Sequence, residues 1–532
     1  MKSPRTLASP IAIVVGLLLL PLLWWLLVRH DLERHVRLLG NTAYLLLQVT
    51  LFSLPLGATA AVLIVRTNVF GRRAAAFLLA VMLFIPLYLQ AAAWDAGFAK
   101  MGWYTLASET LDQPLLSGWL AVIWIHTLVA VPWVALIVGV QLTTIERELD
   151  EAALLEGSAV RAFLHTTVPR LMPAMIVAAL WVCVMTAAEM TVADLYQVAT
   201  YAEEVYVLFA TEDDRGSILR QTGPGICVVG WLTLALFAAA GLNRDVREPT
   251  TELSPLRFRL KHWNMPGTLI LAGFVLLVVG IPLLNLIYKA GFVTHRIGQQ
   301  TSHMWSIGEF AAVVVGGLDE FRPELVTTAI LGCVAATSVM MVTLPLGWLA
   351  RHGGMRALPT VVLGMLAAAI PSPLIGLLVI MLFDRPESEW LAWMYDRTIV
   401  PPVIALVVRS LPLGLLLCWL ALRSVPQATL DAASVDGASA VRRVFSIAIG
   451  QRRNSLMAIW LATFAYASGD LAASILVVPP DMYTVPVRVF GLIHAGVRND
   501  EAALCLISAV GFAAIAAVCF RLIRGRRRSA AE

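Results

Sequence analysis

"DEAALLEGSAVRAF", Asp150 to Phe163, returns as "LDAASVDGASAVRRVF", Leu430 to Phe445, with one residue more between the glycine and the serine. Both stretches are too polar to cross a bilayer. Both sit in a chain that is 59% hydrophobic and only 14% charged, with a mean hydropathy of +0.80. Such a composition makes the bilayer the expected solvent. The polar stretch is therefore a loop between membrane spans, and its recurrence says that something outside the membrane is met twice.

The repeat extends well beyond the loop. Glu151-Ala152-Ala153 pairs with Asp431-Ala432-Ala433 at an offset of 280, as do Gly157 with Gly437 and Pro132 with Pro412. After the one-residue gap, Ala159-Val160-Arg161 matches Ala440-Val441-Arg442, and Glu189 falls opposite Asp470 at an offset of 281. Upstream, "LPLG" at Leu54 recurs at Leu344, and Pro86 of "FIPLYL" has its counterpart in Pro371 of "AIPSPL".

A span needs about 20 apolar residues. Twelve segments meet that: 11–28, 43–65, 75–93, 119–140, 175–198 and 226–242, then 269–288, 326–350, 361–383, 403–422, 456–478 and 503–523. The expected fold is an all-α integral membrane protein of two homologous six-helix halves. Residues 1–242 form the first half and 267–532 the second, joined by a basic linker, 243–266. The segment at 11–28 reads as an uncleaved first span, because no small-residue cleavage site follows it. The basic clusters around Arg244 to Lys261 and Arg521 to Arg528 place the linker and both termini in the cytoplasm. Six spans separate the two polar loops, so both lie on one side, related by a pseudo-two-fold axis along the membrane normal. The six cysteines lie within expected spans without CxxC spacing and read as packing residues.

Each loop, near 148–170 and 428–452, predicts a short helix ended by glycine in the left-handed region, Gly157 or Gly437, followed by a second helix capped by Ser158 or Ser439. The Glu-Ala-Ala, three residues, Gly pattern resembles the EAA loop of permease subunits of bacterial binding-protein-dependent ABC importers. The two-loop layout is similar to the fused permeases of ferric iron and thiamine importers. The resemblance implies a type I importer fold in the bacterial inner membrane. It implies that Glu151, Ala152, Ala153 and Gly157, with Asp431, Ala432, Ala433 and Gly437, dock two copies of a cytoplasmic ATPase. It also implies a periplasmic or lipid-anchored substrate-binding protein, and ferric iron as the solute, with thiamine, a polyamine or an inorganic anion as alternatives. Asp431 in place of Glu, and Gly450 where a later proline is expected, depart from the pattern and predict unequal coupling.

No lysine follows a glycine, so the chain cannot supply a standard P-loop. It also lacks HExxH and GxSxG. Neither catalytic chemistry nor a bound cofactor or metal is expected, and ATP and Mg belong to the partner ATPase. Glu189, Asp194, Asp470, Arg409 and His126 fall in or near spans, where an ionisable group faces a partner or an aqueous path. Glu189 and Asp470 are candidates for the translocation path of a cation. The bland reading is that each carboxylate is neutralised structurally, by Arg409 or by backbone donors, and His126 reads as a hydrogen-bonded packing residue. The acidic stretch from Tyr201, with Glu203, Glu204, Glu212, Asp213 and Asp214, is a candidate seat for a binding protein. A twelve-span secondary transporter would share the layout of parallel halves, but has no need of the duplicated loops.

Overall fold

The computed structural model describes residues 32–529 apart from 108–112, 213, 243–255, 298–299, 384, 386–387, 480 and 497–498. In chain order the first half runs through α1 (Leu32–Arg66), α2 (Arg72–Met82), α3 (Leu87–Phe98), α4 (Gly118–Thr144), α5 (Arg147–Glu156), α6 (Val168–Ala187), α7 (Thr191–Leu195), α8 (Tyr201–Thr211) and α9 (Arg215–Leu242). The second half runs through α10 (Asn264–Val275), α11 (Ile281–Ala290), a hairpin of β1 (Phe292–Ile297) and β2 (Gln300–Trp305), α12 (Ile307–Glu320), α13 (Arg322–Ala350), α14 (Leu358–Ala369) and α15 (Ser372–Phe383). It ends with α16 (Val400–Arg423), α17 (Gln427–Val435), α18 (Gly450–Ser468), α19 (Val485–Ala495) and α20 (Asn499–Ser529). Apart from the hairpin, whose strands pair antiparallel from Phe292 with Trp305 to Ile297 with Gln300, the described fold is all-α.

Among the described residues eight helices are long and apolar enough to cross a membrane. Two further pairs qualify only when joined across sharp bends: Arg72–Met82 with Leu87–Ala107 at 105°, and Gly354–Ala369 with Ser372–Phe383 at 99°. Of the twelve expected spans, the described residues carry eight, or up to ten with the bent pairs. The segment at 11–28 lies outside the described residues. The one expected at 456–478 ends early, because α18 stops at Ser468 and its N-terminal turns carry Gln451, Arg452, Arg453 and Asn454. The one expected at 175–198 likewise breaks after Ala187.

The repeated "LPLG" has a packing cause. Lipid tails are as apolar as leucine, so helices in a bilayer associate through close packing at small residues. A Cβ on Gly57 would lie 2.5 Å from Val134 Cβ, and one on Gly347 would lie 3.1 Å from the Cys418 backbone. These two glycines let α1 close on α4 and α13 close on α16. Pro132 and Pro412 sit inside the partner helices.

The halves interlock reciprocally at the bends. A Cβ on Gly469, just past α18, would collide with the Pro86 ring. At the equivalent point of the other half, Ser372 N–H donates to the Ala188 carbonyl at 3.4 Å. Helix α11 crosses onto the first half, where Asn285 Nδ2 donates to the Ala93 carbonyl at 3.1 Å.

The described end of the linker folds back on the first loop. Phe258 N–H donates to the Arg66 carbonyl at 2.8 Å. Its ring lies under the Arg66 guanidinium, 5.7 Å from the centroid, and edge-on to Phe163.

Candidate functional site: paired loops and a central cavity

Helix α17 ends as expected. Asp436 caps it and Gly437 adopts φ +78°, while Gly437 N–H donates to the Ser434 carbonyl and Ala438 N–H to the Ala433 carbonyl at 3.1 and 2.9 Å. This is a Schellman motif, which requires the left-handed residue. Gly157 corrects the expectation: its φ is −171° and its ψ −173°, extended backbone open to any residue. The missing residue explains it. A Schellman end needs one more residue after the glycine, which Ala438 supplies, whereas Gly157 leads straight into Ser158. Both serines cap the next helix, accepting from Arg161 N–H and Arg442 N–H at 3.3 Å each.

Glu151 is exposed and pairs with Arg147 within its own helix at 2.6 Å. Asp431 is exposed and accepts from Gln427 Nε2 at 2.8 Å. Ala152 and Ala432 are exposed, Ala153 is half-buried and Ala433 is buried. The most exposed large apolar side chains of the loops carry no signal in the sequence. Leu155 is 91% exposed and Val435 88%, at equivalent positions, and Val160 and Val441 follow them as a second exposed pair. Leu164 and Phe445 are a third such pair, so each loop presents a matched set of apolar knobs on a polar surface, a pattern that marks an interaction site.

The loops are anchored differently. In the first, Asp150 is fully buried and ion-paired with Arg66, also fully buried, and Thr167 Oγ1 donates to it at 3.4 Å. In the second, the equivalent position is Leu430, packed with Leu422, Val425 and Ala448. At this position one loop is held by an ion pair and its twin by apolar contact, beside which Arg351 donates to the Val425 carbonyl at 3.0 Å.

Above the loops the two halves enclose a cavity of about 330 Å³, whose wall includes Pro86, His126, Glu189, Ser372, Arg409 and Asp470. Glu189 follows α6 and caps α7, its carboxylate accepting from Thr191 and Val192 N–H at 2.9 and 3.2 Å. Asp470 follows α18 in the same way and accepts from Ala473 N–H at 2.8 Å. Each carboxylate also faces a basic side chain of the preceding span. Asp470 Oδ2 accepts from Arg409 Nε at 3.2 Å, and Glu189 Oε2 lies 3.7 Å from His126 Nε2. His126 Nδ1 is bonded to the Val122 carbonyl at 2.9 Å, which fixes that nitrogen as the donor. Arg409 and His126 are not strict equivalents under the repeat. They stand about one helical turn apart on the same face.

The structure thus brings Glu189 and Asp470 to one cavity, Glu189 held by two backbone donors and Asp470 by one backbone donor and Arg409. Among the described residues no group of three or more His, Cys, Asp or Glu side chains could hold a metal ion.

The acidic stretch beyond the cavity is largely paired within the chain. Glu204 bonds Arg34, Asp214 lies 3.3 Å from Arg220, and Glu212 accepts from Gln221 at 2.7 Å. Glu203 is left between them, its carboxyl pushed up to about 7 by burial and then by Glu204 and Asp194. Asp213 lies outside the described residues. The six cysteines are free and at least half-buried.

Residues 343–524, most of the second half, match the family described as binding-protein-dependent transport system inner membrane component. A comparison with curated proteins gives no match. The matched stretch contains α16, the second loop, Arg409 and Asp470, so one loop and the second half's share of the cavity wall lie within a stretch similar to the membrane component of a transport system. With its long apolar helices, the chain is a multi-pass membrane protein, and the matched family is one of transport rather than catalysis.

Proposed function

We propose that this chain is the permease of an ATP-driven importer of the binding-protein-dependent ABC class. A substrate-binding protein delivers solute on the far side, and two copies of a cytoplasmic ATPase engage the two loops. The observation that carries this reading is the duplicated loop. Equivalent knobs, Leu155 with Val160 and Val435 with Val441, project from helices at matching places in the two halves, and the second loop lies within the family match. A pseudo-two-fold pair of projecting loops suits a two-fold motor.

In this reading the cavity is a point of passage. Its carboxylates are bonded to the chain itself, so a solute meets weak and replaceable contacts, as transport requires of a site that must also release. Ferric iron is the solute favoured by the two-loop layout. Thiamine, a polyamine or an inorganic anion would use the same passage. The test is uptake of radiolabelled iron by cells with and without the gene for this chain. Iron uptake that needs the chain, ATP and a binding protein supports the proposal. ATP-dependent uptake of another solute keeps the permease and replaces iron. Uptake driven by an ion gradient with ATP depleted overturns both in favour of a secondary transporter.

A further inference from the structure

On the side of the membrane opposite the loops, the halves are joined by charges that the passage itself does not use. Helix α3 begins at the cavity wall, where Gln90 lines it. Asp95 stands five residues further along the same helix, about 7.5 Å at 1.5 Å per residue. There it meets the second half: Lys289, at the end of α11, has its Nζ 4.0 Å from Asp95 Oδ2 and 2.7 Å from Glu501 Oε2, near the start of α20. Lys289 and Glu501 are buried, with side chains 4% and 1% exposed. A second bridge lies beside the first. Thr191 of α7 lines the cavity, and one turn on, Asp194 Oδ2 lies 3.3 Å from His494 Nε2 of α19. The contacts that cross from the first half to the second are Asp95 with Lys289 and Asp194 with His494, while Glu501 holds Lys289 from within the second half; both crossings spring from segments that form the cavity wall.

Buried charges of this kind are poor sources of net stability, because desolvation offsets most of their attraction. Apolar residues would hold a permanent seam at less cost. Set within the apolar packing of Leu89 and Ala93 against Leu286 and Val489, the charges make this seam easier to part, since the groups that face each other across it regain hydration when it opens. We propose that the Asp95–Lys289–Glu501 cluster and the Asp194–His494 pair form a latch across the far-side end of the cavity, and that solute enters only when the halves separate there. The inference rests on the permease reading and names the element that regulates entry.

The test is thiol access from the far side. Ser372 lines the cavity and is buried, so Ser372→Cys reports access to the cavity. In the intact chain, reaction with a membrane-impermeant maleimide added to the far side of right-side-out vesicles should be slow, with the unsubstituted chain as background for the native cysteines. Asp194→Asn with His494→Gln, or Lys289→Met with Glu501→Gln, should speed it roughly tenfold or more. As a guard against misfolding, Asp194→Cys with His494→Cys should stop uptake when oxidised and regain it on reduction. Unchanged labelling in both latch variants overturns the latch, as does full uptake with the disulfide shown to be formed. Either result leaves the permease intact if uptake remains ATP-dependent. Loss of ATP dependence is the separate sign that the permease reading has failed.

Discussion

At the scale of single residues, Gly157 and Gly437 have equivalent places in the sequence and different backbone requirements. Gly437→Val puts a β-branched side chain at φ +78°, a region costing about 1–2 kcal/mol for any L-residue and more for a branched one. Gly157→Val meets no such penalty, and its Cβ would face only the flexible Arg161 Cδ at 3.2 Å. Gly437→Val should therefore lower coupled ATP hydrolysis clearly, and Gly157→Val much less. Equal losses at matched expression would show that the glycine, not its conformation, is what matters. The buried Arg66–Asp150 pair gives a second contrast. Asp150→Asn or Arg66→Met alone leaves one buried group unpartnered, a loss of about 3–5 kcal/mol. The double variant Arg66→Met with Asp150→Leu copies the apolar anchor at Leu430 and should recover most of the loss in detergent melting temperature. A double variant no better than the singles would mean that the pair does more than anchor the loop.

Helices and their ends carry the next set of consequences. The second loop is set by a Schellman end and an apolar foot, the first by an extended glycine, an ion pair and the folded-back Phe258. Leu155 and Val435 are the tips of these two devices, so Leu155→Asp and Val435→Asp should each weaken ATPase binding without changing membrane insertion. On the far side, helix α19 lies outside the candidate spans, and its His494 has a pKa raised above the ordinary value, chiefly by its hydrogen bond to Asp194, with Asp95 adding to it. A histidine whose folded pKa is raised contributes stability that is complete below its ordinary value, about 6.5, and is lost as pH rises through the raised one. From about pH 6 to about pH 8 the melting temperature of the intact chain should therefore fall more than that of His494→Gln. Parallel pH profiles would remove His494 from the far-side contact.

Across the whole molecule, the features visible in the sequence were those that the repeat itself carries. The offset of Glu151 and Asp431 placed both loops, the offset of Glu189 and Asp470 brought two carboxylates to one wall, and "LPLG" marked the glycines where helices close. What stayed hidden depends on contacts between distant segments. Nothing in "FIPLYL" says that Pro86 seats against Gly469, or that Lys289 reaches Glu501. The bends at Pro86 and Pro371 turned two expected straight spans into broken ones, because proline removes a backbone donor and disfavours helix at the residue before it. Leu155 has no mark in the sequence, since a lone apolar residue on a helix is ordinarily core, and only the fold leaves it projecting. The central claim is that two loops, not one, couple this membrane protein to a motor. It is tested most directly by purifying the full-length tagged chain from native membranes in mild detergent and measuring the bound P-loop ATPase per chain, for the intact protein, each single variant and Leu155→Asp with Val435→Asp together. The account predicts two ATPase copies on the intact chain, weakened binding in each single variant and loss of the ATPase in the double variant. An intact chain that carries no ATPase, or a double variant that keeps both copies, would contradict it.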